Sequence, residues 1–376
     1  MTAFRAAHGQ ADDWAHCAKL CADGLTPLPE GANLGFVYLT DELAEDTGSV
    51  LTYLRQKTGI EAWVGTIGLA VAGEGIEYSG CRAVTALVGA FPEGSFHLFP
   101  TLLDETEDMA PEVETWIVRE KPTFAIVHGD PGNPALPLLL EETQAHLGGF
   151  LAGGLTASRQ ANHQICGQIT SGGLSGVLFK TEVQVACGLS QGCRPIGESH
   201  EITEAQDNVV MALDGRPALE VFREDLGACE DGQKLAADMR LATGVIHAAL
   251  PIQGSDMGDY TVRNLVGLDL SRGWVALGAE VEAGDRLLFV RRDPEAAEQD
   301  LRAMVDKVVR RAGPDIKAAH YVSCIARGGR MFGEPGRELA ILREKLGDVP
   351  LVGFYAAGEI SLNRLYGYTG VLTLFL

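Results

Sequence analysis

Cys324 and Arg327 stand three residues apart in SCIARGG (Ser323–Gly329), where an apolar run ends. A guanidinium so close could depress the thiol pKa and make Cys324 nucleophilic. A small apolar strand residue accounts for the cysteine as well. Arg194 sits in SQGCRPIG, directly before Pro195. Both arginines are expected at sheet edges, and a guanidinium suits a two-pronged contact to a carboxylate. Two carboxylates occupy glycine turns, Glu74 in AGEG (Ala72–Gly75) and Glu359 in AAGE (Ala356–Glu359). Either could take an ammonium group, so a zwitterion resembling a free amino acid would satisfy both kinds of charge. The alternative is a structural ion pair between Glu359 and Arg327 across neighbouring strands. Tyr355, Tyr366 and Tyr368 flank the last turn, placed to wall a pocket or to pack in a core.

A complete catalytic set does not emerge. GLSQG (Gly188–Gly192) matches the G-x-S-x-G pattern, but a nucleophile elbow needs a helix directly after the serine. Pro195 and Gly197 work against one, so Ser190 is read as a strand-end turn residue. The chain has no Gly-Lys-Ser/Thr triplet and no H-E-x-x-H, which removes the phosphate-loop and zinc-protease readings. Its eight cysteines include no C-x-x-C, so free thiols are expected rather than a zinc cluster. His128 ends an apolar run and His163 precedes Cys166 by three residues. Imidazoles ligate haem iron, but a hydrogen-bonded role is the simpler account of each. No cofactor is expected, with haem as the alternative.

A repeat must position these groups. LGFVYLTD (Leu34–Asp41), TFAIVHGD (Thr123–Asp130) and AHYVSCIA (Ala319–Ala326) each open a unit of strand, helix, strand, glycine turn and strand. Repetition of this kind sets the architecture before any motif is read. The turns contain Gly73, Gly153 with Gly154, and Gly358. If the repeats pack around a common centre these turns converge, and their backbone N–H groups could hold a carboxylate. The expected ligand set is therefore Gly73, Glu74, Gly153, Gly154, Arg194, Cys324, Arg327, Tyr355, Gly358 and Glu359.

Strands alternating with helices, plus strand pairs joined only by a turn, predict an α/β (mixed α+β) fold on mixed sheets. Asp12–Leu25, Glu42–Gly59, Leu136–Leu147 and Pro294–Gly313 read as helices, TWIVR (Thr115–Arg119) as a short strand, and Trp274–Arg292 as a hairpin. A charged stretch at Ala228–Asp238 marks the division into two domains, 1–227 and 228–376. The net charge of −21 opposes nucleic acid, which needs a basic footprint, and opposes an anionic membrane surface. The N-terminal residues lack the apolar core of a signal peptide, and no apolar stretch reaches membrane-spanning length. A cytoplasmic protein is expected.

The chain resembles the FIST family, the paired N- and C-terminal FIST sensory domains, over nearly its whole length. The similar segments are AGEG with EYSGCRAVTALVGAFP, GGLTAS, SQGCRPIG with EITEAQDN, and LDGRPALEVF, then YTVRNLVGLD, SCIARGGRMFG and the closing VGFYAAGEI…YTGVLTLF. EYSGCRAV and FHLFP are nearer in wording to the stand-alone and F-box-linked branch than to the nitric-oxide-sensing branch. The resemblance implies a non-catalytic sensory module for a small molecule, with amino acids or their derivatives as the proposed ligands. Some family members bind haem and respond to nitric oxide. This chain shows no kinase, methyl-accepting or F-box segment, so it is expected to signal through a separate protein partner. A haem-based nitric-oxide sensor and a Cys-dependent enzyme are the alternatives.

Overall fold

The computed structural model describes residues 3–106, 109–227, 239–252 and 260–376. The chain divides into two compact units, Met1–Gln191 with Glu298–Leu376, and Gly192–Ala297. Neither boundary coincides with the 227/228 division read from the charge pattern. The stretch Ala228–Asp238 lies outside the described residues.

The first unit is built from three copies of one motif. The first copy runs β1 (Phe4–Gln10), α1 (Trp14–Gly24), β2 (Leu34–Thr40), α2 (Thr47–Thr58), β3 (Ala62–Gly68), β4 (Ala70–Gly73), β5 (Ile76–Ser79) and β6 (Ala83–Gly89). The second runs β7 (Phe96–Leu102), α3 (Pro111–Glu120), β8 (Phe124–Gly129), α4 (Leu136–Leu147), β9 (Phe150–Leu155), β10 (Gln164–Cys166), β11 (Gln168–Thr170) and β12 (Leu174–Phe179). The third opens with β13 (Val185–Ser190). The second unit then intervenes with β14 (Cys193–Gln206), β15 (Val209–Leu213), β16 (Arg216–Pro217), α5 (Ala218–Gly227), α6 (Met239–Val245), β17 (Ile246–Pro251), β18 (Tyr260–Asp269), β19 (Trp274–Leu277) and β20 (Arg286–Arg292). The third copy resumes with α7 (Pro294–Ala312), β21 (Ala318–Cys324), α8 (Gly328–Phe332), α9 (Arg337–Leu346), β22 (Leu351–Ala356), β23 (Glu359–Ser361), β24 (Arg364–Tyr366) and β25 (Gly370–Phe375).

Pairing repeats with the motif. Three six-stranded sheets run β1-β6-β2-β3-β10-β11, β7-β12-β8-β9-β23-β24 and β13-β25-β21-β22-β4-β5. The parallel pairs are β2–β3, β8–β9 and β21–β22, and every other neighbour is antiparallel. Each copy gives its hairpin away: β4–β5 joins the third sheet, β10–β11 the first, and β23–β24 the second.

The central strands β2, β8 and β21 are buried along their whole length, as continuous apolar runs require. Their inner faces share one core, with Phe36, Phe124, Val177, Val322, Phe354 and Phe375 from all three sheets. The outer faces are covered in turn by α1 and α2, by α3 and α4, and by α7 and α9. A glycine on each parallel neighbour permits the close approach. A Cβ at Gly65, Gly153 or Gly353 would lie 1.7, 1.8 or 1.8 Å from the carbonyl oxygen of Val37, Val127 or Tyr321. At the centre, Tyr38 Oη lies 3.0 Å from His128 Nε2 and 2.5 Å from His320 Nε2. Burial pushes both imidazoles down to about 3 and keeps them neutral.

In the second unit the sheet order is β14-β20-β17-β18-β19-β15-β16, and β14 also pairs with β15, which closes a barrel. The face of α5 carrying Leu219, Phe222 and Leu226 packs into its core with Val275, Leu287 and Phe289.

Two local readings change. TWIVR is the second half of α3, not a strand: Pro111 starts the helix, and Val113, Trp116 and Ile117 make a buried stripe at helical spacing. Trp274–Arg292 is not a hairpin. Its strands β19 and β20 each pair elsewhere, β19 with β15 and β18, and β20 with β14 and β17. Non-local pairing of this kind leaves no trace in a short window of sequence.

Candidate functional site

The three glycine segments are not equivalent in space. Gly153 and Gly154 lie inside β9 and pair with Ile360 and Glu359 of β23. The amide of Leu155 donates to the carbonyl of Gly358 at 2.8 Å. These two segments therefore meet. Gly73 instead pairs with Val352, four residues before Ala356 on β22, or about 13 Å at 3.3 Å per residue. Glu74 is exposed there at a φ of 50°. It borders a separate hollow of about 320 Å3 beside Arg343. Arg194 belongs to the second unit, where it is exposed and pairs with Asp293 at 3.4 Å.

Glu359 is fully buried. Its Oε2 accepts from the Thr369 amide at 3.0 Å and the Thr369 hydroxyl at 2.8 Å, while Oε1 has no partner. Burial pushes this carboxyl up to about 8, so it is largely protonated at neutral pH. Cys324 is also buried, and burial followed by the Glu359 charge pushes its thiol well up. The expected lowering by Arg327 does not occur, because Arg327 is committed elsewhere.

That commitment is to Glu338, not to Glu359. Arg327 is 1% exposed and Glu338 0%. Arg327 Nε donates to Glu338 Oε1 at 2.7 Å. The same carboxylate accepts from Tyr321 Oη at 2.6 Å and from Ser323 Oγ at 2.9 Å. A second guanidinium nitrogen donates to the Gln191 carbonyl at 2.8 Å. Glu338 sits on α9, so the network ties that helix to β21 and to the turn that follows it. Ser190 is buried at the end of β13 and no helix follows it.

The turn so held forms one wall of a cleft of about 700 Å3. Every copy of the motif contributes. Leu69 and Glu77 come from the first, Arg159 from the second, and Ile325 to Arg330 with Tyr355 from the third. Leu69, Arg159 and Ile325 all follow carboxyl ends of strands, where open α/β sheets place ligands. Gly328 adopts a φ of +56°, and a Cβ there would sit 3.2 Å from Glu77 Oε1 and 3.3 Å from the Tyr355 ring. Only glycine lets the chain turn this tightly against them.

Charge in the cleft is mixed. Glu77 Oε2 accepts from Tyr355 Oη at 3.0 Å and from the Gly336 amide at 2.9 Å. Burial, then the Glu338 and Glu77 charges, hold the Tyr355 phenol well above its ordinary pKa, so it stays a donor. Arg159 leans on Asp41 at 2.7 Å and on Glu42 at 3.2 Å, yet its side chain is 67% exposed. Burial works to raise the Asp41 carboxyl, but its bonds from Ser158 and Arg159 hold it below the usual range. Arg330 is exposed and has no carboxylate partner among the described residues. Leu69 and Ile325 supply an apolar side.

Of the residues expected from sequence, Arg327 and Tyr355 line this cleft. Gly153, Gly154, Cys324, Gly358 and Glu359 do not line it, and Gly73, Glu74 and Arg194 are elsewhere. Glu77, Arg159 and Arg330 escaped notice. Glu77 and Arg330 fall inside the quoted segments EYSGCRAVTALVGAFP and SCIARGGRMFG, and Arg159 directly follows GGLTAS, but no role is read for them there. His128 is fully buried against Tyr38 and offers no open face to a porphyrin. His163 is half-buried and lines none of the hollows described. Neither fits a haem ligand here. Among the described residues no helix is long and apolar enough to cross a membrane.

Comparison with known proteins agrees with the resemblance. Residues 33–216 match the FIST N domain and residues 218–361 the FIST C domain. Their junction falls inside the second unit, since sequence families record chain segments and not spatial units. An uncharacterized protein of Mycobacterium tuberculosis is 38% identical over 216 residues, 55% of each chain. An uncharacterized protein of Mycobacterium bovis is 35% identical over 194 residues, 50% of this chain and 49% of its own. The chain thus spans about half the length of the curated relatives it matches. FIST domains are sensory, signal-transduction domains rather than catalytic ones. With both domain types matched in order along most of its length, the chain belongs to the FIST family.

Proposed function

We propose that this is a cytoplasmic sensory protein that binds a free amino acid, or a closely related carboxylate, in the cleft lined by Glu77, Arg159, Arg330 and Tyr355. It passes the signal to a separate protein partner. The observation that carries this reading is the pairing of an uncommitted guanidinium with a fixed carboxylate in one mixed-polarity hollow. Arg330 takes the ligand carboxylate in a bidentate contact. Glu77, already oriented by Tyr355 and Gly336, takes the ammonium. Leu69 and Ile325 face the side chain, which favours an apolar one. Because all three motif copies border the cleft, a ligand there bridges them, which is the physical basis for a change a partner could read.

Native mass spectrometry of the purified protein, followed by calorimetric titration with the standard amino acids, tests the reading. One or a few amino acids bind, and Arg330→Glu weakens them at least tenfold, while Arg194→Glu leaves them unchanged. Absence of binding by every amino acid and its decarboxylated or deaminated analogue would refute it. Equal affinity in the Arg330→Glu protein would refute the placement.

A further inference from the structure

A further hollow lies at the amino-terminal ends of β8 and β9, opposite the strand ends that border the cleft. It occupies about 540 Å3 beside Phe124 and Phe150, the first residues of β8 and β9, with Val185 and Cys187 on the edge strand β13 and Val183 just before it. The two phenyl rings stack with centroids 6.0 Å apart. Phe150, Val185 and Cys187 remain partly exposed, and Thr123, Thr181 and Gln184 form the polar part of the rim. Arg311, in the last turn of α7, stands at this wall. Its guanidinium donates to the Cys187 carbonyl and has no carboxylate partner among the described residues. In a chain with 51 acidic and 30 basic residues, an arginine left without an acid beside an apolar wall is an anion site in search of its counter-charge.

We propose that this hollow binds a medium-chain fatty acid, its carboxylate on Arg311 and its tail along Phe124, Phe150, Val183 and Val185. The apolar wall supplies affinity without direction, and Arg311 supplies the choice of headgroup. The hydrogen bond to the Cys187 carbonyl holds the guanidinium in place, so little side-chain freedom is lost when the anion arrives. This site is independent of the amino-acid cleft, which lies at the carboxyl ends of the strands.

Calorimetric titration of the full chain with hexanoate, octanoate, decanoate, 1-octanol and octylammonium decides the matter. Affinity rises about fourfold per added methylene, from the transfer free energy of a buried methylene. Octanoate binds at least tenfold tighter than 1-octanol, and octylammonium weakest. Arg311→Gln removes the preference for octanoate over 1-octanol but leaves 1-octanol binding intact. Val185→Glu weakens every carboxylate more than tenfold, with an unchanged thermal melt as the control for folding. Amino acids neither compete with octanoate nor lose affinity in either variant. No saturable carboxylate binding below micelle-forming concentrations overturns the proposal. So does an unchanged headgroup preference in Arg311→Gln, or an affinity that does not depend on chain length.

Discussion

Replacing Arg327 with Met removes one half of a fully buried ion pair. Glu338 would keep its bonds from Tyr321 and Ser323 but lose the 2.7 Å guanidinium contact. An orphaned buried charge costs about 3–5 kcal/mol, and the Gln191 carbonyl loses a donor worth about 1 kcal/mol more. With two compact units in one chain, a global unfolding curve would mix their transitions. Native-state hydrogen exchange at the amides of β21 and β22 avoids this, because it reads opening of the first unit directly. Protection there should fall by about three to four orders of magnitude, the factor equivalent to that energy. Arg327→Met combined with Glu338→Gln should recover most of the loss, since the amide carries no charge and its oxygen still accepts from Tyr321 and Ser323. A loss under about 1 kcal/mol in the single variant, or a double variant as damaged as the two single changes summed, would refute the account of how the cleft wall is held.

Two further outcomes follow from buried groups. Glu359 has a folded pKa near 8 against an ordinary value of 4.5, so the folded state binds the extra proton. Its contribution is fully present below pH 4.5 and lost as pH rises through 8. Relative to Glu359→Gln, the wild-type chain should lose roughly 5 kcal/mol of stability across that window, measured as melting temperature against pH; parallel curves for the two proteins would contradict it. Gly153→Ala forces a Cβ to within 1.8 Å of the Val127 carbonyl and should cost about 3 kcal/mol by overpacking, with Gly65→Ala and Gly353→Ala behaving alike in the same melt. A tolerated alanine at any of the three would break the equivalence drawn between the copies.

The repeat was legible because each central strand is a largely apolar run with few polar interruptions. Such runs are what double-sided burial demands of a strand. The helices were legible from periodicity, except α3, where an apolar pair at Trp116 and Ile117 imitates a strand when read without Pro111. The exchange of hairpins was not legible. AGEG, AGG and AAGE look alike as strings, yet the first is a hairpin tip, the second lies inside β9, and the third joins β22 to β23. Which strand lies beside which depends on contacts hundreds of residues apart. The same limit explains the cleft. Glu77, Arg159 and Arg330 belong to three copies, and only the closed arrangement brings them together. Arg327 carried a correct signal for the wrong reason: its charge serves the wall through Glu338, while Glu338 itself sits in an ordinary amphipathic helix and attracts no notice.

The hairpin exchange has a bearing on ancestry. One copy of the motif, cut out alone, would own two strands with nowhere to lie and a sheet missing two of its members. Three identical copies would satisfy one another in a ring, each lending an arm to its neighbour. A gene encoding a single copy could therefore have made a homotrimer with the architecture of the first unit, and fusion of three such genes would have freed the copies to diverge. Divergence is what allows one cleft to carry Glu77 and Arg330 together, an asymmetry that a ring of identical subunits has no means of confining to a single place.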